Sequence, residues 1–164
     1  MPRRLVTLAV GEIYHIFNRG VEKRKVFMSQ RDHQRFLETI QHYQSPKSRL
    51  SRKSKLIKPS ENKELIEILA YCLMPNHFHL ILKQKVDNGI SIFMAKLLNS
   101  YTKYFNIKND RVGSLFLGQF KAVHVDSDEQ LLHLSRYIHL NPYVAELTDN
   151  LNSYPWSSYL AYIG

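Results

Sequence analysis

The stretch Met74-Pro75-Asn76-His77-Phe78-His79-Leu80-Ile81-Leu82 decides how the rest of the chain is read. Met74-Pro75-Asn76 has the composition of a turn, and from His77 polar and apolar residues alternate as in a half-buried strand. On a strand, side chains two apart share a face. His77 and His79 therefore face one way, and Phe78, Leu80 and Leu82 face a helix-covered core. Two imidazoles on one face can meet one divalent cation. An HxH alone is more often two polar side chains on a half-exposed strand face, and it is expected to be only partly buried.

Working outward, Leu65 to Leu73 is apolar and contains β-branched residues, a second strand paired with the first through the turn. Upstream, Tyr14 to Asn18 is a short strand closed by Arg19-Gly20. Ser29 is a plausible N-cap, with Asp32 placed to complement a helix dipole, and Phe36, Leu37, Ile40 and Tyr43 recur at helical spacing. Downstream, Gly89 opens a helix with Ile90, Phe93, Met94, Leu97, Tyr101, Tyr104 and Phe105 on one face. A loop from Gly113 to Gly118 leads to a strand over Phe120 to Val125. Ser127 and Gln130 cap a last helix over Asp128 to Leu140, which Pro142 stops or redirects. The order β-α-β-β-α-β-α predicts an α+β fold, a ferredoxin-like antiparallel sheet with helices on one face and an extra helix.

The chain has 164 residues, one Cys and a formal net charge of +9, with a sequence pI of about 9.7. That length fits a single domain over 1–164, with 45–63 as a basic loop insertion and 143–164 as a C-terminal tail. The charge points to a polyanion, nucleic acid before an anionic membrane surface. Lys47, Arg49, Arg52, Lys53, Lys55 and Lys58 crowd the insertion, and Arg19, Lys23, Arg24 and Lys25 follow the first strand. Each fits a phosphate contact or a solvated surface. The clustering favours a DNA path. No apolar run has transmembrane length, and no signal-peptide pattern opens the chain. Cys72 lies in an apolar run and reads as a small core residue, consistent with a reducing cytoplasm. A disulfide framework, a cysteine zinc cluster, a P-loop and a GxGxxG are all absent from the sequence.

Tyr137 and Asn141 are four apart on the last helix and share a face. A tyrosine can attack phosphorus, although its intrinsic pKa of about 10 calls for help at neutral pH. An amide oxygen can be a hard ligand for Mg²⁺ or Mn²⁺. The chain also has ten tyrosines, most of them expected to pack. Asn before Pro is a common helix-ending signal, so the four-residue spacing is approximate. Tyr101 and Tyr104 read as core, His15 as packing under the sheet in preference to lying near a metal, His139 as pointing away from Tyr137, and Trp156 as pinning the tail in preference to stacking on a base.

Four words occur in order: Tyr14-His15-Ile16-Phe17-Asn18-Arg19-Gly20, Met74 to Leu80, Tyr137-Ile138-His139-Leu140-Asn141-Pro142, and Tyr154-Pro155-Trp156-Ser157-Ser158-Tyr159. Together they resemble the single-tyrosine transposases of the HUH superfamily, most of all the REP-associated tyrosine transposases. Gly113-Ser114-Leu115-Phe116 resembles a family loop, with Phe116 where Trp is common. The resemblance implies a ferredoxin-like (RRM-like) core with a late helix carrying the catalytic tyrosine across the other sheet face. It implies that His77 and His79 bind a divalent metal, Mg or Mn, and that Tyr137 is the nucleophile. Asn141 matches a position where the wider superfamily often has Gln as third ligand. The implied activity is cleavage and rejoining of single-stranded, hairpin-containing DNA through a 5′-phosphotyrosine, by a monomer or homodimer away from membranes. A noncatalytic RRM-like nucleic-acid-binding module is the alternative, and a toxin-like RNase a weaker one.

Overall fold

The computed structural model describes residues 6–44 and 64–164. Strand β1 (Ile13–Arg19) leads to helix α1 (Gln30–Gln44). Strands β2 (Ile66–Met74) and β3 (His77–Gln84) form a hairpin. Helix α2 (Gly89–Lys108), strand β4 (Lys121–Val125), helix α3 (Asp128–Val144) and a short helix α4 (Tyr159–Ile163) complete the chain. The strands lie in the order β2-β3-β1-β4, and every neighbouring pair is antiparallel. This is the ferredoxin-like α+β arrangement. The residues 47 to 58 that carry the insertion's charge lie outside the described residues.

The alternation along β3 divides the molecule into two layers. Phe78, Leu80 and Leu82 are fully buried and pack with Tyr14 and Ile16 of β1, Phe36 and Ile40 of α1, and Phe93, Leu97 and Tyr101 of α2. Each such side chain contributes about 1.5–3 kcal/mol relative to exposure. On the opposite face Ile81 joins Ala70, Cys72 and Met74 of β2, and Ile138 of α3 closes this smaller core. Cys72 is a buried free thiol there, its pKa pushed up to about 12 by burial. A bulge between Ile68 and Ala70 resets the parity of β2. Ile66 and Ile68 consequently face the large core, and Ala70, Cys72 and Met74 face α3.

Helix α1 begins as its sequence signals. Asp32 N–H donates to Ser29 Oγ at 3.3 Å, and the Asp32 carboxylate accepts from Met28 and Ser29 N–H. Lys108 at 2.7 Å and the Tyr104 hydroxyl at 2.9 Å bind its other oxygen, tying α1 to α2. Burial of this carboxyl opposes ionisation, but the hydrogen bonds from Lys108, Met28 and Tyr104 outweigh it and hold its pKa below the usual range.

Helix α3 corrects one expectation. Pro142 does not end it; the helix runs through the proline to Val144. Proline removes one N–H, here close to the C-terminus, and the next turn is held by Ala145 N–H on the Asn141 carbonyl at 2.9 Å. The segment beyond it returns to the outer edge of β2. Leu73 N–H donates to the Trp156 carbonyl, Ser158 N–H to the Tyr71 carbonyl, and Tyr154 Oη to the Leu73 carbonyl. Trp156 stacks on His33 at 4.6 Å between centroids, and so pins the tail as expected.

Candidate active site

The open face of the sheet, the one α3 crosses, is set by strand register. One row across it is Cys72 on β2, His79 on β3, Phe17 on β1 and Lys121 on β4. The adjoining rows hold Met74, His77 and Arg19, and Ala70, Ile81, His15 and Val123. The two histidines of the HxH therefore share one face, with their ring centroids 5.0 Å apart. His79 is 7% exposed, more buried than a half-exposed strand face implies, because the rings of His15, Phe17 and Tyr137 surround it. His77 nearer the strand end is only partly covered.

Tyr137 stands against His79. Its ring meets His79 edge to face, with centroids 5.9 Å apart and planes at 79°. The tyrosine remains 56% exposed, so much of it is open to solvent. Ile138, the next residue, is buried under β2 and β3 and fixes the helix at this height. Asn141 lies one turn on and donates its Nδ2–H to the Tyr137 carbonyl at 3.1 Å. That bond folds the Asn141 side chain back on its own helix. His139 points away, as expected: it is buried and bonded to Ser158 Oγ at 2.7 Å.

His15 overturns its expectation of packing under the sheet. It lies on the same face as the HxH, its Nε2 2.9 Å from His79 Nδ1 and its ring stacked on His79 at 5.1 Å. The cause is register: Ile16 opposes Leu80 and Phe17 opposes His79, which leaves His15 diagonal to His79. Burial drives all three imidazoles toward the neutral form. The pKa of His79 is pushed down to about 3 by burial and then by its histidine neighbours, and that of His15 to about 4 by burial alone. His77 is lowered by burial as well. A neutral imidazole is the form that ligates metals.

Next to His77 opens a cavity of about 460 Å³ lined by Phe17, Arg19, Lys23, Asn76, Leu117 and Lys121. Two of the four basic residues expected beyond the Tyr14–Asn18 strand, Arg19 and Lys23, thus share a cavity with His77. Lys23 gets there through a backbone with positive φ at both Glu22 and Lys23. Arg24 turns instead to the Val21 carbonyl and to Glu22 at 3.5 Å, and Lys25 is exposed. Nothing in the sequence around Lys121 marks it as a site residue. Its place on the site face follows from pairing opposite Phe17, which strand propensity does not reveal. A second cavity, about 290 Å³, joins Tyr137 to His15, Val123, Gln130 and His133. Arg49, Arg52 and Lys53 lie outside the described residues.

The ferredoxin-like sheet thus carries paired imidazoles and cations on one face, with the exposed Tyr137 of α3 set against His79. The family described as "Transposase IS200 like" matches residues 10–141, and the chain belongs to that family. The matched stretch contains His15, His77, His79, Tyr137 and Asn141. The solved structure of a REP-associated tyrosine transposase bound to a REP hairpin aligns with a TM-score of 0.67. The alignment covers 98% of this chain and 84% of that one, at 14% identity, and is a likeness of fold. Comparison with curated proteins gave no match. Among the described residues no helix is long and apolar enough to cross a membrane.

Proposed function

We propose that this chain is a metal-dependent single-stranded DNA endonuclease and strand-transferase of the REP-associated tyrosine branch. Tyr137 is the nucleophile, and His77, His79 and Asn141 are the metal-facing set. The observation that carries this reading is the placement of Tyr137 against His79 across the sheet.

Among the described residues no three His, Cys, Asp or Glu side chains group as a metal site. Two neutral imidazoles from one strand with one amide oxygen would hold a divalent cation such as Mn²⁺ or Mg²⁺. When bound there, such a cation would polarise a nonbridging phosphate oxygen. The remaining chemistry belongs to the chain. Tyr137 Oη attacks phosphorus and gives its proton to solvent. The Oη–P bond forms as the P–O3′ bond breaks, and the departing oxygen takes up a proton to become a 3′-OH. The 5′ phosphate stays on Tyr137. The ester is conserved, so attack by a 3′-OH reseals the strand without nucleotide hydrolysis.

Arg19, Lys23 and Lys121 would hold flanking phosphates beside the HxH, where positioning and charge supply most of the acceleration in phosphoryl transfer. Arg24, Lys25, Arg49, Arg52 and Lys53 would extend the basic path. The substrate is single-stranded DNA containing a hairpin, bound by a monomer or homodimer. The test is incubation with such DNA and Mn²⁺, followed by a denaturing gel. A covalent protein–DNA band that His77→Ala removes is the expected result. DNA binding with neither cleavage nor adduct would favour a noncatalytic RRM-like module.

A further inference from the structure

His77 and His79 each have one ring nitrogen engaged, and it is the same one. Nδ1 of His77 is 2.6 Å from Asn76 Oδ1, and Nδ1 of His79 is 2.9 Å from His15 Nε2. A neutral imidazole has one N–H and one lone pair, so a partner at one nitrogen decides the role of the other.

Asn76 presents an oxygen, which only accepts. The other end of its amide faces the Lys23 carbonyl at 3.5 Å, consistent with that orientation. His77 therefore carries its proton on Nδ1 and keeps a lone pair on Nε2. For His79 the partner is a second imidazole, and two arrangements satisfy the contact. If His15 donates, the proton of His79 sits on Nε2 and blocks a cation there. If His15 accepts, His79 has Nδ1–H and an Nε2 lone pair, the state of His77.

His15 is held where it can do this. Its ring lies 4.7 Å from Phe17 and 5.1 Å from His79, nearly parallel to the latter at 23°. Its Nε2 is engaged by His79 Nδ1, which places His15 as a partner of that ring.

We propose that His15 and Asn76 are positioning residues that hold His79 and His77 in the Nδ1–H tautomer, so that both Nε2 lone pairs are available to one divalent cation. This inference rests on the reading of His77 and His79 as metal ligands. Partners of this kind commonly change metal affinity by about 10–100-fold.

The test uses the full chain labelled with ¹⁵N in its imidazoles. Long-range ¹H–¹⁵N spectra at neutral pH, without metal, report each tautomer, and titration followed by the electron spin resonance of free Mn²⁺ reports affinity. In the wild type both His77 and His79 should show Nδ1–H. His15→Phe keeps an aromatic ring and removes the acceptor. It should shift His79 toward Nε2–H, leave His77 unchanged and weaken Mn²⁺ binding about 10–100-fold. His15→Gln restores an accepting oxygen and should recover much of both signals. An Nε2–H tautomer of His79 in the wild type, or wild-type tautomer and affinity in His15→Phe, overturns the inference. The His77→Ala/His79→Ala protein separates it from the functional reading. If that protein binds Mn²⁺ like the wild type, the ligand assignment falls and this inference with it. If it loses Mn²⁺ while His15→Phe does not, this inference alone falls.

Discussion

Tyr137 and His79 meet edge to face, 5.9 Å between ring centroids, although one lies on α3 and the other on β3. Tyr137→Phe keeps the ring and removes one oxygen. Because the residue is 56% exposed, stability should change by less than about 0.5 kcal/mol. DNA binding should persist, while cleavage and the covalent adduct vanish. Peptide mapping of the wild-type adduct should place a 5′-linked nucleotide on Tyr137. A map to another tyrosine would reject this nucleophile.

Arg19 and Lys121 flank the HxH on the same sheet face. Replacing both with Ala should weaken binding of single-stranded DNA. The slope of log affinity against log salt should flatten by about 0.7 for each phosphate that is no longer neutralised. Titrations at several salt concentrations measure both quantities. The same change in Lys25, which does not line the cavity, should have a smaller effect. A Lys25→Ala effect as large as half that of the double replacement would mean a diffuse field and no defined path.

Gly20 approaches the next loop too closely for a side chain. An added Cβ would lie 2.3 Å from the Arg24 carbonyl oxygen, and the Gly20 N–H is bonded to the Asn76 carbonyl at 2.9 Å. Gly20→Ala must push the segment carrying Lys23 away from the turn before His77. A stability loss of about 1–3 kcal/mol is expected, with reduced DNA affinity. Thermal unfolding at the wild-type midpoint would show that the loop yields freely.

His33 gives the fold a pH dependence remote from the HxH. It is buried between Phe27 and Trp156, and burial lowers its pKa below 6.5 despite a bond to the Ser29 carbonyl and the charge of Asp32. Below pH 6.5 the unfolded chain binds a proton that the folded chain resists. Its stability contribution is thus complete above about pH 6.5 and declines as pH falls toward the depressed folded value. Urea midpoints should drop between pH 7.5 and pH 5, and His33→Phe, which preserves stacking, should reduce that drop. An identical drop in both proteins would assign the effect to other groups.

Much of this fold is legible because β3 alternates cleanly. Phe78 and Leu80 against His77 and His79 define two faces before any partner is known. The α3 face is legible from spacing, since Tyr137, Ile138 and Asn141 separate on a helix. What spacing does not contain is register. His15 and Phe17 alternate with Tyr14 and Ile16, each pair joining one apolar side chain to one polar-tipped ring, so β1 alone does not say which pair is buried. Pairing with β3 decides it, and the same pairing brings Lys121 to the site. The β2 bulge is likewise invisible in an apolar run. Pro142 departs from its usual stop signal because a proline near the end of a helix sacrifices only one bond.

The return of the chain past Trp156 bears on how this protein resists aggregation. Main-chain groups of Tyr71 and Leu73 that would otherwise line a bare strand edge are bonded to Ser158, Trp156 and Tyr154. Bare edges recruit other strands. A chain cut after α3 would expose an apolar template on β2, and its predicted fate is growth into strand-added polymers. The segment from Tyr154 to Ser158 acts as a stopper against that growth, and any change that unseats it uncovers the template.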